Sequence, residues 1–326
     1  MKIKIDSNAY YLPEKKESAK DLFLDNPDWD TSKIFEKTGI STRSIASSNQ
    51  TAVDLAFKAG MKLLKDVPSK EDIDLIILVT QSPDYVLPTS ACILQSQLGL
   101  STKSMAFDIN LGCSGFVYAL SVASSLIESG VAKKGLILCS ETYSKYIHKN
   151  DRTCRPLFSD GASATLLSES DSNNIGPFIF GTDGSGFEKL IVRGGGAREP
   201  NNIEDSSYGL LEMSGSDIFL FTLSSIPICI NMLLDKSNLK IKDIDLFVFH
   251  QASKLVLENI IRIMSLDRDK VFINLKYVGN TVSASIPIAL KDAENQDRLK
   301  EGDRVMLIGF GVGLSWGATL VTWRKK

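Results

Sequence analysis

A pattern in the first half of the chain returns in the second half, and this internal repeat restricts the possible folds more than any other feature. Residues 72–82 and residues 243–253 both begin Asp-Ile-Asp-Leu and continue as an apolar, strand-like run. Two shorter echoes follow in the same order, and they pair residues 109–111 with 273–275 and residues 164–166 with 318–320. Three matches in one order indicate a duplicated structural unit whose first copy is longer by insertions. We therefore predict two halves, residues 1–170 and residues 171–326, built on one plan.

Each half alternates short apolar strands with helices. In the first half we predict strands over residues 73–79, 104–109 and 135–139, with helices from Pro88 to Gly99 and from Cys113 to Gly130. In the second half we predict strands over residues 246–249, 271–273, 304–309 and 315–323, with helices that start at Ser216 and span residues 252–264 and 281–293. Continuous apolar strands between helices are typical of sheets covered on both faces. We therefore expect an α/β fold in which helix and sheet layers alternate.

The composition is that of an ordinary globular protein, since 43% of the 326 residues are hydrophobic and 23% are charged. The net charge of −2 gives no general attraction to nucleic acid, so none is expected as a partner. The most apolar stretch, residues 218–234, is interrupted by residues such as Thr222, Pro227 and Asn231, so no membrane span is expected. The start of the chain lacks an apolar signal-peptide core, and the five cysteines match no disulfide or zinc pattern. We therefore expect a cytoplasmic location.

Cys113 is the candidate nucleophile. It follows a strand-like stretch that ends in a glycine, and a helix of small residues begins directly after it. A thiol at a helix start lies at the positive end of the helix dipole, which favours the thiolate, the attacking species. The alternative for any cysteine is a small buried hydrophobic side chain. That alternative fits Cys92, Cys139 and Cys229, whereas Cys154 lies in a charged stretch and is predicted to be an exposed loop residue.

His250 and Asn280 are the candidate partners of Cys113. His250 lies at the C-terminal end of a predicted buried strand, where polar residues of such sheets line the ligand crevice. Taken alone, it could equally be a core imidazole with its hydrogen bonds satisfied. Asn280 follows a glycine, and Gly-Asn alone is a common turn pair. By the repeat, however, the stretch around Asn280 corresponds to the stretch around Cys113, and a pseudo-twofold relation would bring the two helix starts together.

Several short motifs together resemble a known family. They are Gly112-Cys-Ser-Gly115, His250-Gln-Ala252, Gly279-Asn-Thr281, Phe158-Ser-Asp-Gly-Ala162, Thr182-Asp-Gly-Ser185, Lys37-Thr-Gly-Ile40, and Gly309-Phe-Gly-Val-Gly313 followed by Trp316-Gly317. In this order and approximate spacing they resemble β-ketoacyl-acyl carrier protein synthase III of the thiolase superfamily, over nearly the whole chain. The resemblance implies a duplicated, five-layered αβαβα thiolase-like fold and a homodimer.

The resemblance also implies a reaction and a set of site residues. Cys113 would accept an acyl group from an acyl-CoA or acyl-carrier thioester. His250 and Asn280 would hold the carbonyl of a malonyl thioester while it decarboxylates and condenses, because two neutral N–H donors stabilise an enolate without adding a competing base. The oxyanion of the acyl-transfer step would be bound by backbone N–H groups of Cys113 and of the loop that contains Gly311, Val312 and Gly313. We expect no resident cofactor and no metal ion.

Some positions separate this chain from relatives and from the usual family pattern. The terminal Gly-rich loop lacks the second cysteine of a degradative thiolase, and Asn280 stands where the elongating synthases have a second histidine. Lys33 and Lys37 occupy positions where the family has a Trp and an Arg that contact CoA, while Arg152 matches a family nucleotide contact. Leu87 occupies the position of an acyl-pocket gate that is often Phe. These departures leave the mechanism in place and the identity of the acyl group open.

Positive side chains are expected around the entrance to the site, where they would suit a phosphopantetheine arm and an acidic acyl carrier protein. They are Lys33, Lys37, Arg152, Arg155, Lys254 and Arg262. Each could instead be an ordinary solvated charge. Two other functions stay open: an acyltransferase of the same fold that acylates an alcohol, an amine or another small acceptor without decarboxylation, and a catalytically silent partner subunit. The chain keeps all three candidate catalytic residues, so the silent subunit ranks last.

Overall fold

The computed structural model describes residues 1–201 and 207–324, which form two large sheets and the helices that cover them. The elements of the first half are β1 (Ile3–Tyr11), β2 (Lys16–Ser18), α1 (Ala19–Asp25), α2 (Thr31–Thr38), β3 (Thr42–Ser44), α3 (Ala52–Leu64), β4 (Leu75–Val79), α4 (Ser90–Gln97), β5 (Met105–Ile109), α5 (Gly115–Glu128), β6 (Lys134–Glu141) and β7 (Gly161–Glu169). The elements of the second half are β8 (Ile175–Thr182), β9 (Leu190–Val192), β10 (Leu211–Met213), α6 (Gly215–Ser237), β11 (Leu246–Phe249), α7 (Lys254–Met264), α8 (Leu275–Val278), α9 (Ser285–Asn295), β12 (Arg304–Gly311) and β13 (Ser315–Thr322).

The two large sheets share one strand plan. The first sheet has the order β1-β7-β6-β4-β5, and the second has the order β8-β13-β12-β11. In the first sheet, β4 pairs in parallel with β6, and β6 pairs antiparallel with β7. In the second, β11 pairs in parallel with β12, and β12 pairs antiparallel with β13. The Asp-Ile-Asp-Leu repeat leads directly into β4 and into β11, and the Ala-Thr-Leu echo lies on β7 and on β13, so the sequence repeat corresponds to a structural duplication.

The helices lie in three layers around the two sheets. α3 and α4 cover the outer face of the first sheet, and α5 and α9 lie between the sheets. α6 packs on the outer face of the second sheet, together with the buried side of α7. Every residue of β4 and of β11 is buried, as expected for strands covered on both faces. The predicted five-layered αβαβα, thiolase-like fold is confirmed.

Two local predictions in the second half are wrong. The strand predicted over residues 271–273 is reduced to one bridge between Val271 and Phe247, because the chain enters α8 before a ladder can form. Ser214, and not Ser216, flanks the start of α6, because the backbone is already helical at Ser216. Both errors concern single turns of chain, and neither changes the strand plan.

α6 is the one helix in the described part of the chain that is long and apolar enough to cross a membrane. It has 23 residues, and its most apolar window has a mean hydropathy of 1.8. One side of it packs in the core of the second sheet through residues such as Ile226, Ile230 and Leu233. A helix that buries one side against a sheet has the arrangement typical of a globular domain. The expected absence of a membrane span stays a prediction.

The cysteines other than Cys113 divide differently from the sequence prediction. Cys139 and Cys229 are fully buried, as predicted. Cys92 is exposed, so its predicted burial is wrong: it lies on the outward side of α4. Cys154 is fully buried, so its predicted exposure is also wrong. The carboxylate of Asp151 accepts the backbone N–H of Cys154 at 2.9 Å, and Cys154 itself joins an apolar cluster that also contains Cys113.

Candidate active site

The ends of β5 and β11 and the turn that carries Asn280 converge on one cavity. The cavity has a volume of about 600 Å³, and Cys113, His250 and Asn280 all line it. Cys113 comes from the first half of the chain, and the other two come from the second half. The duplicated fold thus brings the two helix starts to one place, as the repeat predicts.

Cys113 lies between β5 and α5, which begins two residues later, and only 4% of its surface is exposed. Burial raises the pKa of its thiol to about 12, with the nearby carboxyl of Glu141 as a second cause. Backbone N–H groups of Val312 and of Cys113 itself act in the opposite direction, because they bind the sulfur. The expectation of a resting thiolate is therefore wrong: the loss of hydration outweighs the effect of the helix start.

The loop between β12 and β13 approaches the sulfur through its backbone. A Cβ added to Gly311 would lie 2.8 Å from Sγ of Cys113, so only glycine fits there. Gly313 has a φ of +140°, which favours glycine as well. The hydroxyl of Ser315 donates to the carbonyl of Val312 at 2.7 Å and fixes the peptide plane of the loop. N–H donors beside the sulfur also lie near the carbonyl oxygen of an acyl group that the sulfur attacks, and this oxygen is where an oxyanion develops.

His250 is a buried, neutral imidazole. Burial lowers its pKa to about 3, while a backbone hydrogen bond with Val282 acts in the opposite direction. Its Nδ1 lies 2.7 Å from Oγ of Ser285, and that oxygen also accepts the N–H of Gln251 at 3.4 Å. The Ser285 hydroxyl can donate to Nδ1 while its oxygen accepts from the backbone, and we assign the ring proton to Nε2 on this basis. With this assignment the ring is neutral and carries its N–H group at Nε2.

Asn280 is held in place by backbone groups on both sides of its amide. Its Oδ1 accepts the N–H of Val282 at 2.9 Å, and its Nδ2 donates to the carbonyl of Ala252 at 3.3 Å. An amide nitrogen has two hydrogens, so one stays available for a ligand in the cavity. The backbone around Asn280 forms an isolated bridge with Phe158, the first residue of the Phe-Ser-Asp-Gly-Ala motif. The helix predicted from residue 281 begins after a 3-10 turn, so Asn280 stands on a tight turn.

Val282 is a strained residue that connects the two partners of Cys113. Its φ is +53°, in the left-handed region that a β-branched side chain rarely adopts. In this conformation its N–H reaches Asn280 while its backbone also forms the hydrogen bond with His250. Strain of this kind persists where the surroundings determine the conformation, and it is common at functional sites. Nothing in the local sequence indicates it.

Glu141 is a fully buried carboxyl behind the site. Burial raises its pKa to about 8, although hydrogen bonds from neighbouring groups lower it. It accepts the N–H of Gln81 at 3.1 Å and the hydroxyls of Ser82 at 3.0 Å and of Ser283 at 2.8 Å. Ser283 belongs to the 3-10 turn after Asn280, so Glu141 ties this turn of the second half to the first sheet.

Only some of the predicted positive residues lie at the cavity. Lys33, Lys37 and Arg152 line the same cavity as Cys113. Lys254 is exposed at the first position of α7, and its neighbours in the chain line the cavity. Arg155 is not at the entrance: it binds the carboxylates of Glu17 and Asp25 at 2.7 Å and 2.5 Å in a mostly buried position. The expectation for Arg155 is therefore wrong, and its ion pairs instead anchor the segment that presents Arg152. Arg262, farther along α7, is exposed and hydrogen-bonded to Asn259.

Leu87 lies away from the cavity within the single chain. It is 79% exposed and does not line the space that Cys113 lines. Tyr85 and Val86 beside it are also exposed, at 61% and 88%. A role for Leu87 at the acyl pocket of the same chain therefore has no support in the structure.

Three residues of the site were not predicted from the sequence: Val282, Ser285 and Glu141. Ser285 and Val282 follow Asn280 within one turn, and their contacts depend on where β11 ends in space. Glu141 lies at the end of β6, where a charged residue after an apolar run is the one signal that the sequence offers. Among the described residues, no group of His, Cys, Asp or Glu side chains is arranged to hold a metal ion.

A five-layered thiolase-like fold whose central cavity holds a cysteine, a neutral histidine and an asparagine defines a condensing acyltransferase. Comparisons with known proteins agree. The family model for 3-oxoacyl-[acyl-carrier-protein] synthase III matches residues 107–184, and the model for the C-terminal part of that synthase matches residues 234–323. The chain is 39% identical over 318 residues to the β-ketoacyl-[acyl-carrier-protein] synthase III of Clostridioides difficile, with 96% of each chain covered.

Solved structures give the same result. A crystal structure of a 3-oxoacyl-(acyl-carrier-protein) synthase III matches with a TM-score of 0.96 and 42% identity, covering 99% of this chain and 100% of that chain. The synthase III of Thermus thermophilus matches with a TM-score of 0.90 and 34% identity, covering 98% and 99%. This chain belongs to the β-ketoacyl-[acyl-carrier-protein] synthase III family.

Proposed function

We propose that the chain takes an acyl group from a thioester onto Cys113 and condenses it with a malonyl thioester, with loss of carbon dioxide, to a 3-oxoacyl thioester. One observation carries the proposal. A cysteine thiol with two backbone N–H groups at its sulfur shares a cavity with two neutral N–H donors, His250 and Asn280. The thiol with its backbone donors suits acyl transfer, and the two side-chain donors suit the stabilisation of an enolate.

In the first step, Sγ of Cys113 attacks the carbonyl carbon of the donor thioester. The bond between that carbon and the donor sulfur breaks, and the thiol proton ends on the departing thiol. The tetrahedral oxyanion lies against the N–H groups of Val312 and Cys113. Because these donors belong to the backbone, they need no reorganisation when the charge develops.

In the second step, the malonyl carboxylate leaves as carbon dioxide, and its bonding electrons form an enolate. The enolate oxygen accepts hydrogen bonds from His250 and Asn280, and the enolate carbon attacks the acyl carbon on Cys113. The bond to Sγ breaks, and the sulfur takes up a proton from water, which restores the thiol. A neutral His250 suits this step, because it donates without a second proton that could quench the enolate.

Positive residues support a phosphorylated thioester and an acidic carrier protein as substrates. Lys33, Lys37 and Arg152 line the cavity, and Lys254 stands exposed beside it. Such a cluster attracts the phosphates of CoA or of a phosphopantetheine arm and an acidic carrier surface. No resident cofactor or metal enters either step, and both steps suit a cytoplasmic enzyme.

The proposed enzyme is a homodimer. β5 is an edge strand of the first sheet, and no described strand pairs with its other side. Exposed apolar residues include Met105 on β5 and Tyr85, Val86 and Leu87 in the loop between β4 and α4, which ends at Ser90, a residue that hydrogen-bonds Asp108 of β5. A free strand edge beside exposed apolar side chains is a typical pairing surface. The pairing would place Leu87 of each chain at the partner.

The test is a two-stage mass and gas experiment. The protein is incubated with a panel of acyl-CoA and acyl-carrier thioesters, and intact mass is measured before malonyl-carrier protein is added and carbon dioxide is followed. An adduct that is absent in Cys113→Ala, present in Cys92→Ser, and consumed with carbon dioxide release supports the proposal. Cys92 is the matched control because it is an exposed cysteine. An adduct that survives Cys113→Ala contradicts the proposal, and an adduct that passes to alcohols or amines without decarboxylation indicates the other acyltransferase reaction.

A further inference from the structure

Glu141 is a fully buried carboxyl that neither reaction step uses. Burial of such a group is unfavourable unless hydrogen bonds compensate it, and perturbed carboxyls are concentrated at functional sites. Glu141 does not line the cavity that Cys113 lines, so it must act through other residues. We propose that Glu141 is a positioning residue for the condensation step, and that it holds the turn of Asn280 in place through Ser283. This inference rests on the proposed function, in which Asn280 stabilises the enolate.

The turn that carries Asn280 is held on both sides. On the near side, the N–H of Asn280 donates to the carbonyl of Leu157 at 3.1 Å, and its carbonyl accepts the N–H of Ser159 at 2.8 Å. Two residues later, Val282 has the φ of +53° that a β-branched side chain rarely adopts. Strain of this kind persists only where the surroundings determine the conformation. On the far side, that support falls to Ser283, the residue directly after Val282.

Ser283 connects this turn to the first sheet through its side chain. The residue is buried, and its hydroxyl donates to Oε1 of Glu141 at 2.8 Å and also lies 3.4 Å from the carbonyl of Val79. Glu141 ends β6 and Val79 ends β4, so both acceptors belong to the first sheet. Val282, whose N–H fixes the amide of Asn280, is therefore held beside a residue that is anchored in the other half of the molecule.

The two acceptors maintain the link in either protonation state of Glu141. An ionised Glu141 accepts the hydroxyl of Ser283. Burial raises the pKa of this carboxyl to about 8, so it carries a proton at neutral pH. A protonated Glu141 can donate to the oxygen of Ser283, whose hydroxyl then turns to the carbonyl of Val79. The amide of a Glu141→Gln variant can donate in the same way, so this variant keeps the link without the ionisable group.

The experiment measures the two reaction steps separately. Acylation of Cys113 by acetyl-CoA is followed by intact mass, and adduct loss and carbon dioxide are followed after malonyl-carrier protein is added. Ser283→Ala removes the link and should keep acylation within about threefold but slow condensation at least about tenfold, because a small displacement of a catalytic group is costly. Glu141→Gln keeps the link and should condense at least about fivefold faster than Ser283→Ala.

A control and a double variant separate positioning from a general loosening of the fold. Ser140→Ala is the matched control, because this buried serine precedes Glu141 in β6 and donates at 2.6 Å to the carbonyl of Ala52 in α3, on the outer face of the first sheet. Both of its rates should stay within about threefold of the natural values. In an Asn280→Ala background, Ser283→Ala should slow condensation less than about threefold, because a residue that acts through Asn280 has no further effect once that side chain is removed.

The outcomes distinguish this inference from the proposed function. Condensation at the natural rate in a folded Ser283→Ala variant, an equal fall in both steps, or Glu141→Gln as slow as Ser283→Ala overturns the role of Glu141 and leaves the two steps in place. A further loss of about tenfold in the Asn280→Ala background overturns it as well. No adduct in the natural sequence overturns the proposed function and this inference with it. Thermal unfolding checks each variant, and if Ser283→Ala is unfolded, Glu141→Met, which keeps the length of the side chain without its hydrogen bonds, is measured in its place.

Discussion

The helix start that follows Cys113 and the turn that follows Asn280 occupy equivalent places in the two halves, and they differ in what they offer a substrate. The first offers a nucleophile with backbone donors, and the second offers side-chain donors with no nucleophile. Burial acts on both in the same direction. It keeps the thiol protonated and the imidazole neutral, so the site holds no unpaired charge while it waits for a substrate. A duplicated scaffold can thus divide one reaction between two copies of the same local architecture.

Replacing the nucleophile should abolish acyl transfer and leave decarboxylation in place. Cys113→Ala should lower the rate of acyl transfer at least about a thousandfold, because no other group lies at the backbone donors. The donors of the second half are untouched, so this variant should still release carbon dioxide from a malonyl thioester, without a 3-oxoacyl product. Intact mass and labelled carbon dioxide measure the two results. Loss of both activities in a folded variant would contradict the division of roles.

The pH dependence of stability should report the protonation of His250. Its pKa is lowered to about 3 in the folded chain from the ordinary value of 6.5, so the unfolded chain binds the proton first. The stability contribution of the neutral ring is complete above pH 6.5 and is lost as the pH falls toward 3. His250→Gln should therefore reduce the loss of unfolding free energy between pH 6 and pH 4 by about 2 kcal/mol. Urea unfolding at the two pH values measures this difference.

One outcome would contradict a buried, neutral imidazole at His250, namely the same change in unfolding free energy with pH in His250→Gln and in the natural sequence. Equal pH dependence in the variant and in the natural sequence would mean that His250 titrates alike in the folded and unfolded chains. In that case burial would not hold the imidazole neutral, and the shared effect of burial on Cys113 and His250 would disappear.

The smallest effect concerns the entrance, to which both halves contribute. Lys254→Gln should raise KM for the carrier-bound substrate about threefold, with little change in kcat, because an exposed charge acts on encounter more than on chemistry. Steady-state rates at low and high salt measure it, and the difference should shrink at high salt. Lys300→Gln, an exposed lysine that precedes β12 at the opposite end of the sheet, is the control. An equal rise in KM in both variants would show a general effect of net charge and not a role of Lys254.

The sequence predicted the parts of this site that depend on repetition and periodicity. The repeat identified the paired sheets and placed Asn280 opposite Cys113, and the end of an apolar strand placed His250 at the cavity. The predictions that were wrong concern residues whose state depends on packing across the two halves. Cys154 turns inward although its neighbours are charged, and burial outweighs the helix start at Cys113. The strained turn at Val282 has no local signal, since three-dimensional contacts alone maintain it.

The central claim is that the first half carries the acyl group and the second half holds the enolate. A single-turnover experiment with Asn280→Ala tests it most directly: the variant is acylated, malonyl-carrier protein is added, and the adduct mass and carbon dioxide are followed in time. We predict that acylation stays within about threefold of the natural rate, while adduct consumption and carbon dioxide release fall about a hundredfold to a thousandfold. Adduct consumption at the natural rate, or loss of acylation in a folded variant, would contradict the claim.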